Sequence, residues 1–347
     1  MHRYPLQFHP IYKQKVWGGR SLAHLFGRPL PGEDDTLIGE SWEIADLSQT
    51  SASGGGGAAE RSIVADGPLA GTSFHDAIAA HGRDLLGDLP LTDAGEFPLL
   101  VKFLDAQQHL SVQVHPSPAY AAAHADAHLK SEAWYIVDAE PGAVIYKGVR
   151  EGVTAEAFRA ALKANTDEAV LPLLVEVPVQ PGDCHYLPSG TCHALGAGIV
   201  VAEVQTPSDT TFRVYDWGRV GRELHVEAAL ASMTLGPADV SRYEKRVTTP
   251  GRGATRTQLV TCEHFNIDRV DARPGFEQPL PLDEPTIWMT LAGQAALSCR
   301  DAPPTPLAPG VTSYLPPAMA EAHLHVADEG LTWLEVTFPQ ARSPRMA

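Results

Sequence analysis

A short stretch rich in glycine and proline, residues 181–193, constrains the fold of this chain more than any other feature. It reads PGDCHYLPSGTCH, which is a glycine, five residues, and then Pro-x-Gly-x-x-His. Glycine and proline in these positions are typical of two tight turns. A short strand between the turns fits the mouth of a small antiparallel barrel and aims one imidazole inward. The pattern therefore predicts that His193 binds a metal ion.

The same pattern of proline and glycine occurs a second time near the C-terminus. Residues 181–188 (PGDCHYLP) recur as residues 309–316 (PGVTSYLP), and Trp134 has a counterpart in Trp288. Two copies of one β-roll explain this repeat most economically. Both copies resemble the cupin β-roll, so we expect a mainly β fold of two cupin-type β-rolls (double-stranded β-helices, or jelly rolls) with a few inserted helices.

The two copies differ at the positions where chemistry is expected. Thr286 stands where the first copy has Glu132, and Glu321 stands where it has His193. We therefore expect two domains. Residues 1–240 form a catalytic, metal-binding cupin domain with helical insertions, and residues 241–347 form a C-terminal cupin-like β domain without metal ligands.

The first 60 residues lack a clear strand pattern. We expect an irregular beginning with a short helix at residues 20–26 and a strand at residues 40–45. The run SASGGGG (51–57) has the composition of a flexible loop and carries no chemistry. Further on, the spacing of apolar residues predicts helices at residues 72–87 and 118–129.

Three more residues complete the predicted metal site. In LSVQVHP (110–116), strand alternation puts Gln113 and His115 on one face. In KSEAW (130–134), Lys130 and Glu132 share a face in the same way. A set of Gln, His, Glu and His offers oxygen and nitrogen donors, which suit Zn²⁺, Mn²⁺ or Fe²⁺ better than thiophilic metals.

A dense run of polar and basic residues, 203–219, follows the predicted ligand His193. Arg213 and Arg219 offer planar, bidentate donors to a phosphate or to a developing enolate oxygen. Glu203 and Asp209 offer carboxylates for proton transfer. The run fits either a surface cluster of ion pairs or part of an active site.

Composition excludes several other classes of protein. A net charge of −16 lacks the basic footprint of a nucleic-acid-binding protein. We find no apolar run long enough to span a bilayer and no signal peptide, so we expect no membrane partner. The four cysteines show no CxxC pair or disulfide-framework spacing, which fits the reducing cytoplasm. We expect a cytoplasmic monomer or weak homodimer.

Taken together, the motifs resemble those of the type I mannose-6-phosphate isomerases in their short bacterial form. The match is strong over residues 8–240 and weak beyond them. The matching motifs are WGG (17–19), IGESWEIAD (38–46), FPLLVKFLDA (97–106), SVQVHP (111–116), KSEAWY (130–135), PSGTCHALG (188–196) and SDTTFRVYDWGR (208–219).

The resemblance implies a set of site residues and a cofactor. It implies one Zn²⁺ per chain, bound by Gln113, His115, Glu132 and His193. It also implies catalytic roles for Arg213, Lys130 and Glu203, and contacts with a small-molecule sugar phosphate from Arg219, Lys102 and Trp17. The implied reaction is the interconversion of mannose 6-phosphate and fructose 6-phosphate through a cis-enediol.

Other functions compete with this interpretation. A different metal-dependent cupin enzyme, such as an oxygenase or an epimerase, would typically present three histidines. A non-catalytic sugar-phosphate-binding protein built from two cupin rolls would be expected to have lost the ligands in both rolls. The residues alone do not fix which epimer of the sugar is preferred.

Overall fold

Antiparallel strands make up most of the fold. The structure is a computed structural model that describes residues 3–51, 57–124, 127–280, 282–300 and 302–339. In the first 240 residues the strands are β1 Leu6–His9, β2 Ile11–Gly19, β3 Ile38–Ile44, β4 Asp46–Leu47, β5 Glu60–Arg61, β6 Ile63–Val64, β7 Leu100–Ala106, β8 Val112–Val114, β9 Glu132–Ala139, β10 Val144–Val149, β11 Leu174–Pro178, β12 Cys184–Leu187, β13 Cys192–Leu195, β14 Ile199–Gln205 and β15 Phe212–Tyr215. They are followed by β16 Val247–Pro250, β17 Ala254–Thr261, β18 Asn266–Ala272, β19 Glu277–Pro279, β20 Thr286–Cys299, β21 Ala302–Leu307, β22 Thr312–Leu315 and β23 His323–Thr337.

The helices are short and lie between strands. They are α1 Ser21–Phe26, α2 Phe74–Leu86, α3 Pro118–Ala123, α4 Ala155–Ala164, α5 Asp167–Val170 and α6 Val226–Ser232, with 3₁₀ turns at Gly67–Leu69 and Leu171–Leu173. Where the chain is described, no helix combines the length and the apolar composition that crossing a membrane requires.

The strands build two β-rolls, which confirms the predicted fold class. The first roll pairs a six-stranded sheet, in the order β12-β9-β14-β7-β3-β2, with a five-stranded sheet, β11-β10-β13-β8-β15. The second roll is a ten-stranded sheet with the path β16-β17-β18-β23-β20-β22-β1-β6, where β19 adds to β23 and β21 adds to β20. A small pair, β4-β5, stands apart.

The strand register reproduces the sequence repeat. In the first roll Glu132 lies opposite Leu187, and in the second roll Thr286 lies opposite Leu315. The glycines that precede these strand pairs, Gly182 and Gly310, both have positive φ, of 96° and 79°. The two motifs therefore occupy equivalent positions in two copies of the same roll.

Strand β14 illustrates how the rolls pack and where the site lies. Alternate residues of the strand, such as Ala202 and Val204, face the hydrophobic core between the six-stranded sheet and the second roll. There they pack with Ile287 and Val336. The residues between them face the interior of the first roll. A strand buried on both faces is expected to be apolar throughout, so Glu203, 2% exposed, and Gln205, 0% exposed, are the exceptions.

Two local predictions are wrong. The N-terminal segment is not irregular, because it forms β1 and β2 as well as the predicted helix and strand. The helix predicted to reach residue 129 ends at Ala123, since the backbone of His124 is extended (φ −134°, ψ 106°) and its ring stacks on Tyr120 at 3.8 Å between ring centroids. Residues 52–56 of the glycine-rich run lie outside the described residues.

The N-terminal strand β1 also bears on the predicted domains. It pairs with β22, so that Leu6 lies opposite Tyr314, and thereby joins the sheet of the second roll. Strand β1 thus belongs to the sheet of the second roll, although it precedes the strands of the first roll in the sequence. The division at residues 240 and 241 stays a prediction.

Glu244, in the segment between the two rolls, contacts strands of both sheets of the first roll. Its Oε1 lies 2.5 Å from Lys147 Nζ on β10 and accepts a hydrogen bond of 2.5 Å from the Tyr186 N–H on β12. Strand β12 is an edge strand of the six-stranded sheet, whereas β10 belongs to the five-stranded sheet. One carboxylate therefore ties the two sheets together.

We expect Glu244→Ala to lower the free energy of unfolding by about 1–3 kcal/mol, because it leaves a buried ammonium and a backbone N–H without their acceptor. Urea unfolding monitored by circular dichroism measures this change. The matched control is Glu227→Ala, which removes an exposed ion pair with Arg159 and should leave the midpoint almost unchanged. Equal midpoints for the two variants would contradict the role of Glu244.

Candidate metal centre and the adjoining pocket

His193 reaches the interior of the first roll from β13, directly after the second turn of the motif. Gly190 in this turn has φ +90°, and a Cβ added there would lie 3.1 Å from the Ser232 carbonyl oxygen. Both the conformation and the close approach therefore favour glycine at this position. The sequence pattern placed an inward-facing imidazole between the turns, whereas His193 lies on the strand after them.

Strand β8 delivers two more of the predicted ligands beside His193. Gln113 lies opposite His193 in the register of β8 and β13, and its Nε2 is 3.2 Å from His193 Nε2. A half-turn of the side-chain amide would present Gln113 Oε1 at the same place. His115 follows at the end of the strand, and its ring centroid lies 4.7 Å from that of His193.

Glu132, at the start of β9, lies between the two imidazoles. Its Oε2 is 3.4 Å from His115 Nε2, and its Oε1 is 3.2 Å from His193 Nε2. Their ligand atoms lie within 4.8 Å of one another, and all three residues are buried. Burial works to raise the pKa of Glu132, but the ammonium of Lys130, 2.7 Å from Oε2, outweighs it and holds this pKa well below its ordinary value.

The hydrogen bonds around the group indicate that it suits a cation. His115 Nδ1 lies 3.0 Å from the Thr210 carbonyl oxygen and His193 Nδ1 lies 2.9 Å from that of Thr191, so each ring carries its proton on Nδ1. The lone pairs on both Nε2 atoms then face the Glu132 carboxylate. Apart from the ammonium of Lys130, 2.7 Å from Oε2, the described residues offer neither Glu132 oxygen a hydrogen-bond donor. Electron-pair donors that face one another repel unless positive charge lies near them. The ammonium of Lys130, 3.2 Å from His115 Nε2, supplies part of that charge, and these residues also fit a metal ion.

His115 is already in the form that a metal requires. Burial, reinforced by the nearby ammonium of Lys130, lowers the pKa of His115 to about 3. The imidazole is therefore neutral near pH 7. It can donate its Nε2 lone pair without first releasing a proton.

A pocket opens beside this group on the interior of the first roll. Of the ten residues predicted for the site, the pocket lining includes Trp17, Lys102, Gln113, Lys130, Glu203 and Arg213. It also includes several residues that the sequence analysis did not assign to the site, among them Lys15, Glu40, Trp42, Ser111, Thr211 and Arg222. The structure thus brings most of the predicted site residues together next to the buried group.

Charged side chains alternate in sign along one wall of the pocket. Lys102 Nζ lies 3.4 Å from Glu203 Oε1 and 3.6 Å from Glu40 Oε2, and Lys15 Nζ lies 3.1 Å from Glu40 Oε1. Burial works to raise the pKa of Glu40, but Lys15 and Lys102 outweigh it and hold this pKa well below its ordinary value. The ammonium of Lys102 is therefore shared between two carboxylates.

Glu203 differs from Glu40 in its electrostatics. Burial and the nearby charge of Glu132 raise the pKa of Glu203, although Lys102 and Lys130 oppose the shift. A carboxyl group with a raised pKa is better matched to proton transfer near neutral pH than an ordinary one.

The three arginines after β14 have different surroundings. Arg213 lies opposite Gln113 across β15 and β8, and its Nε donates to Ser111 Oγ at 3.3 Å. Arg222 lines the pocket and donates to both oxygens of Asp216. Arg219 donates to the same Asp216, at 2.9 Å, and also to the His109 carbonyl oxygen, at 2.7 Å.

Three of the pocket residues that the sequence analysis missed come from β2 and β3, which form one edge of the six-stranded sheet. Lys15 lies on β2, where no strand was predicted, and Glu40 and Trp42 lie on β3 with side chains on one face. The alternation in IGESWEI (38–44) could have placed Glu40 and Trp42 together. It could not have revealed that this face meets the metal-binding group.

Comparisons with known proteins agree with the geometry. The family model of the type I phosphomannose isomerase catalytic domain matches residues 6–147. The chain is 39% identical to the mannose-6-phosphate isomerase of Streptococcus mutans over 269 residues, which cover 76% of this chain and 77% of that protein. It is 36% identical to the mannose-6-phosphate isomerase ManA of Bacillus subtilis over 273 residues, 76% of this chain and 78% of that protein.

The fold is also shared with a solved structure. The crystal structure of the mannose 6-phosphate isomerase from Bacillus subtilis aligns with a TM-score of 0.82 at 30% sequence identity. The alignment covers 96% of this chain and 99% of that one. The likeness therefore extends over both rolls.

We expect Glu132→Ala and His193→Ala each to abolish tight metal binding, because the loss of one donor leaves an incomplete set of ligands. Metal analysis after gel filtration measures this loss. His325→Ala, which changes an exposed histidine of the second roll, is the matched control and should retain the metal. Full metal content in His193→Ala would rule out this ligand set.

Proposed function

The chain belongs to the type I phosphomannose isomerases, and on that premise we propose that it interconverts mannose 6-phosphate and fructose 6-phosphate. One observation carries the proposal: the buried group of His115, Glu132 and His193 adjoins a pocket lined by Lys130 and Arg213. Such a pocket can hold a sugar phosphate against a metal ion. The relatives favour this activity over an oxygenase, an epimerase or a non-catalytic binding protein.

Zinc is the metal that we propose, with one ion per chain. Gln113, His115, Glu132 and His193 would hold it, and this set of oxygen and nitrogen donors without a thiolate suits Zn²⁺. The same donors also suit Mn²⁺ and Fe²⁺, which metal analysis distinguishes. When bound, the metal stabilises the negative charge that develops on the substrate oxygens O1 and O2.

The proposed reaction moves protons within the substrate. After the sugar ring opens, a base removes the C2 proton of the aldose to give a cis-enediol. A proton is then delivered to C1, and a hydroxyl proton moves from O2 to O1, so that the ketose forms without any other reactant. The barrier lies mainly in the charge that develops on the enediol oxygens.

Glu203 is the proposed base. It lines the pocket, and burial together with the charge of Glu132 raises its pKa. Its Oε1 lies 3.4 Å from Lys102 Nζ and accepts no hydrogen bond among the described residues. This oxygen can therefore take the C2 proton and return it to C1.

Lys130 is proposed to act as a fixed positive charge. Burial works to lower its pKa, but Glu132 and Glu203 outweigh this and raise the pKa above its ordinary value. The side chain thus stays an ammonium and does not become a base. Its ammonium lies 2.7 Å from Glu132 Oε2, which supports a role beside the enediol oxygens.

The phosphate requires a cation of its own, and Arg222, which lines the pocket, is the proposed partner. Arg213 lies one strand from Gln113 and can contact the reacting end of the sugar, whereas Arg222 reaches the pocket from the loop after β15. Lys102 is less suited to the phosphate, because two carboxylates already share its charge. Arg219 contacts the same Asp216 and the His109 carbonyl but is not part of the pocket lining, which makes it less suited than the sequence analysis predicted.

We expect isomerase activity to require about one Zn²⁺ per chain. Chelation should remove the metal and the activity together, and stepwise addition of Zn²⁺ to the chelated protein should restore activity up to one equivalent. A coupled assay with mannose 6-phosphate follows the recovery, and elemental analysis gives the stoichiometry. Full activity in a metal-free protein, or a second tightly held equivalent, would contradict the proposal.

We expect Arg213→Lys to lower kcat on the order of 100-fold or more, because it keeps the charge but loses the planar donor pair at the enediol oxygens. The metal content should be unchanged. Arg219→Lys is the matched variant, and its kcat should stay near normal. If Arg213→Lys instead raises KM and leaves kcat intact, Arg213 binds the phosphate and has no role in charge stabilisation.

A further inference from the structure

Trp134 connects the proposed base with the metal-binding group. Its indole is 1% exposed, and its Nε1 donates a hydrogen bond of 2.8 Å to Glu203 Oε2. The same ring meets the His193 ring edge-on, with 5.5 Å between the centroids. One rigid side chain thus contacts both the carboxylate and a predicted ligand.

The strand register explains why the indole and the carboxylate meet. Trp134 on β9 and Glu203 on β14 lie directly opposite each other, so their side chains project from the same face into the first roll. The indole N–H is a donor with no acceptor capacity, and the ring cannot turn in a packed interior. Its bond to Oε2 therefore fixes the carboxylate plane and leaves Oε1 toward Lys102 and the pocket.

The second roll provides an internal comparison. Trp288 faces Glu335 across β20 and β23 in the same register. There Glu335 pairs with Arg256 at 2.6 Å, and the indole packs on Trp333 with 4.7 Å between ring centroids. Trp288 Nε1 has no hydrogen-bond partner among the described residues. The repeated fold therefore requires the tryptophan as packing but does not by itself produce the bond to a carboxylate.

We propose that Trp134 is a positioning residue, whose indole N–H holds Glu203 Oε2 so that Oε1 points at the substrate. The inference rests on the proposed function, in which Glu203 transfers the proton. It assigns to Trp134 a role that is separate from filling the roll. That role depends on one N–H group, so the substitution of phenylalanine tests it.

We expect Trp134→Phe to lower kcat by about 10- to 100-fold, as for a catalytic group displaced by about 1 Å. KM and the metal content should stay near their normal values, because the phosphate partners and the ligands are retained. Trp288→Phe is the matched control. It removes the same atoms from the equivalent position of the second roll and should lose stability but not kcat, when both proteins are assayed well below their unfolding temperatures.

Spectroscopy tests the bond independently of turnover. The chain has six tryptophans, and the spectrum of Trp134→Phe assigns one indole N–H resonance in ¹⁵N-labelled protein. We expect Glu203→Gln to shift this resonance upfield, because a neutral amide replaces a charged acceptor. The Trp288 resonance, assigned with Trp288→Phe, should not move.

Either of two results would overturn the inference, and a third would contradict it as well. One is a Trp134→Phe kcat equal to that of Trp288→Phe, and the other is a Trp134 resonance that ignores Glu203→Gln. A loss of activity in Trp134→Phe that only follows a loss of metal would also contradict it. By contrast, a lack of isomerase activity in the unmodified protein would contradict the proposed function. The comparison of Trp134→Phe with Trp288→Phe separates this outcome from a failure of the inference about Trp134.

Discussion

The repulsion among three electron-pair donors in the interior of the first roll is the constraint on which the site depends. Glu132 Oε1 and Oε2 lie 3.2 and 3.4 Å from the imidazole nitrogens of His193 and His115, and backbone carbonyls hold the proton of each ring on the far side. A buried arrangement of this kind is costly without a positive charge. The ammonium of Lys130 supplies part of that charge, and a metal ion would supply the rest.

The surrounding charges follow from the same constraint. Beyond Lys130, the wall of the pocket alternates between Glu203, Lys102, Glu40 and Lys15, so that each buried charge has a partner of opposite sign. Because each carboxylate in this wall is paired with an ammonium, the pocket can accept an anion although the protein as a whole is strongly acidic. Of the two guanidinium groups in the lining, Arg213 is the one proposed for the reacting end of the sugar, and Arg222, which also pairs with Asp216, is proposed for the phosphate.

The sequence predicted the residues whose spacing is local and missed those that depend on how distant strands meet. The alternation around Gln113 and Glu132, together with the glycine turn before His193, predicted residues that the structure brings close together, His115, Glu132 and His193 among them. The repeated PG-x₃-YLP motif predicted two rolls, and the strand register confirms that the copies are equivalent. Strand β2 escaped prediction because its bulged pairing with β3 breaks the alternation. Arg222 and Lys15 reach the pocket only through the packing of loop and sheet, which no local pattern encodes.

We propose above all that this chain interconverts fructose 6-phosphate and mannose 6-phosphate. Incubation of the zinc-loaded protein with fructose 6-phosphate, followed by ¹³C and ¹H NMR of the products, tests it most directly. We expect mannose 6-phosphate as the product, formed until equilibrium is reached. Formation of glucose 6-phosphate, or recovery of unchanged fructose 6-phosphate from protein that retains its metal, would contradict it.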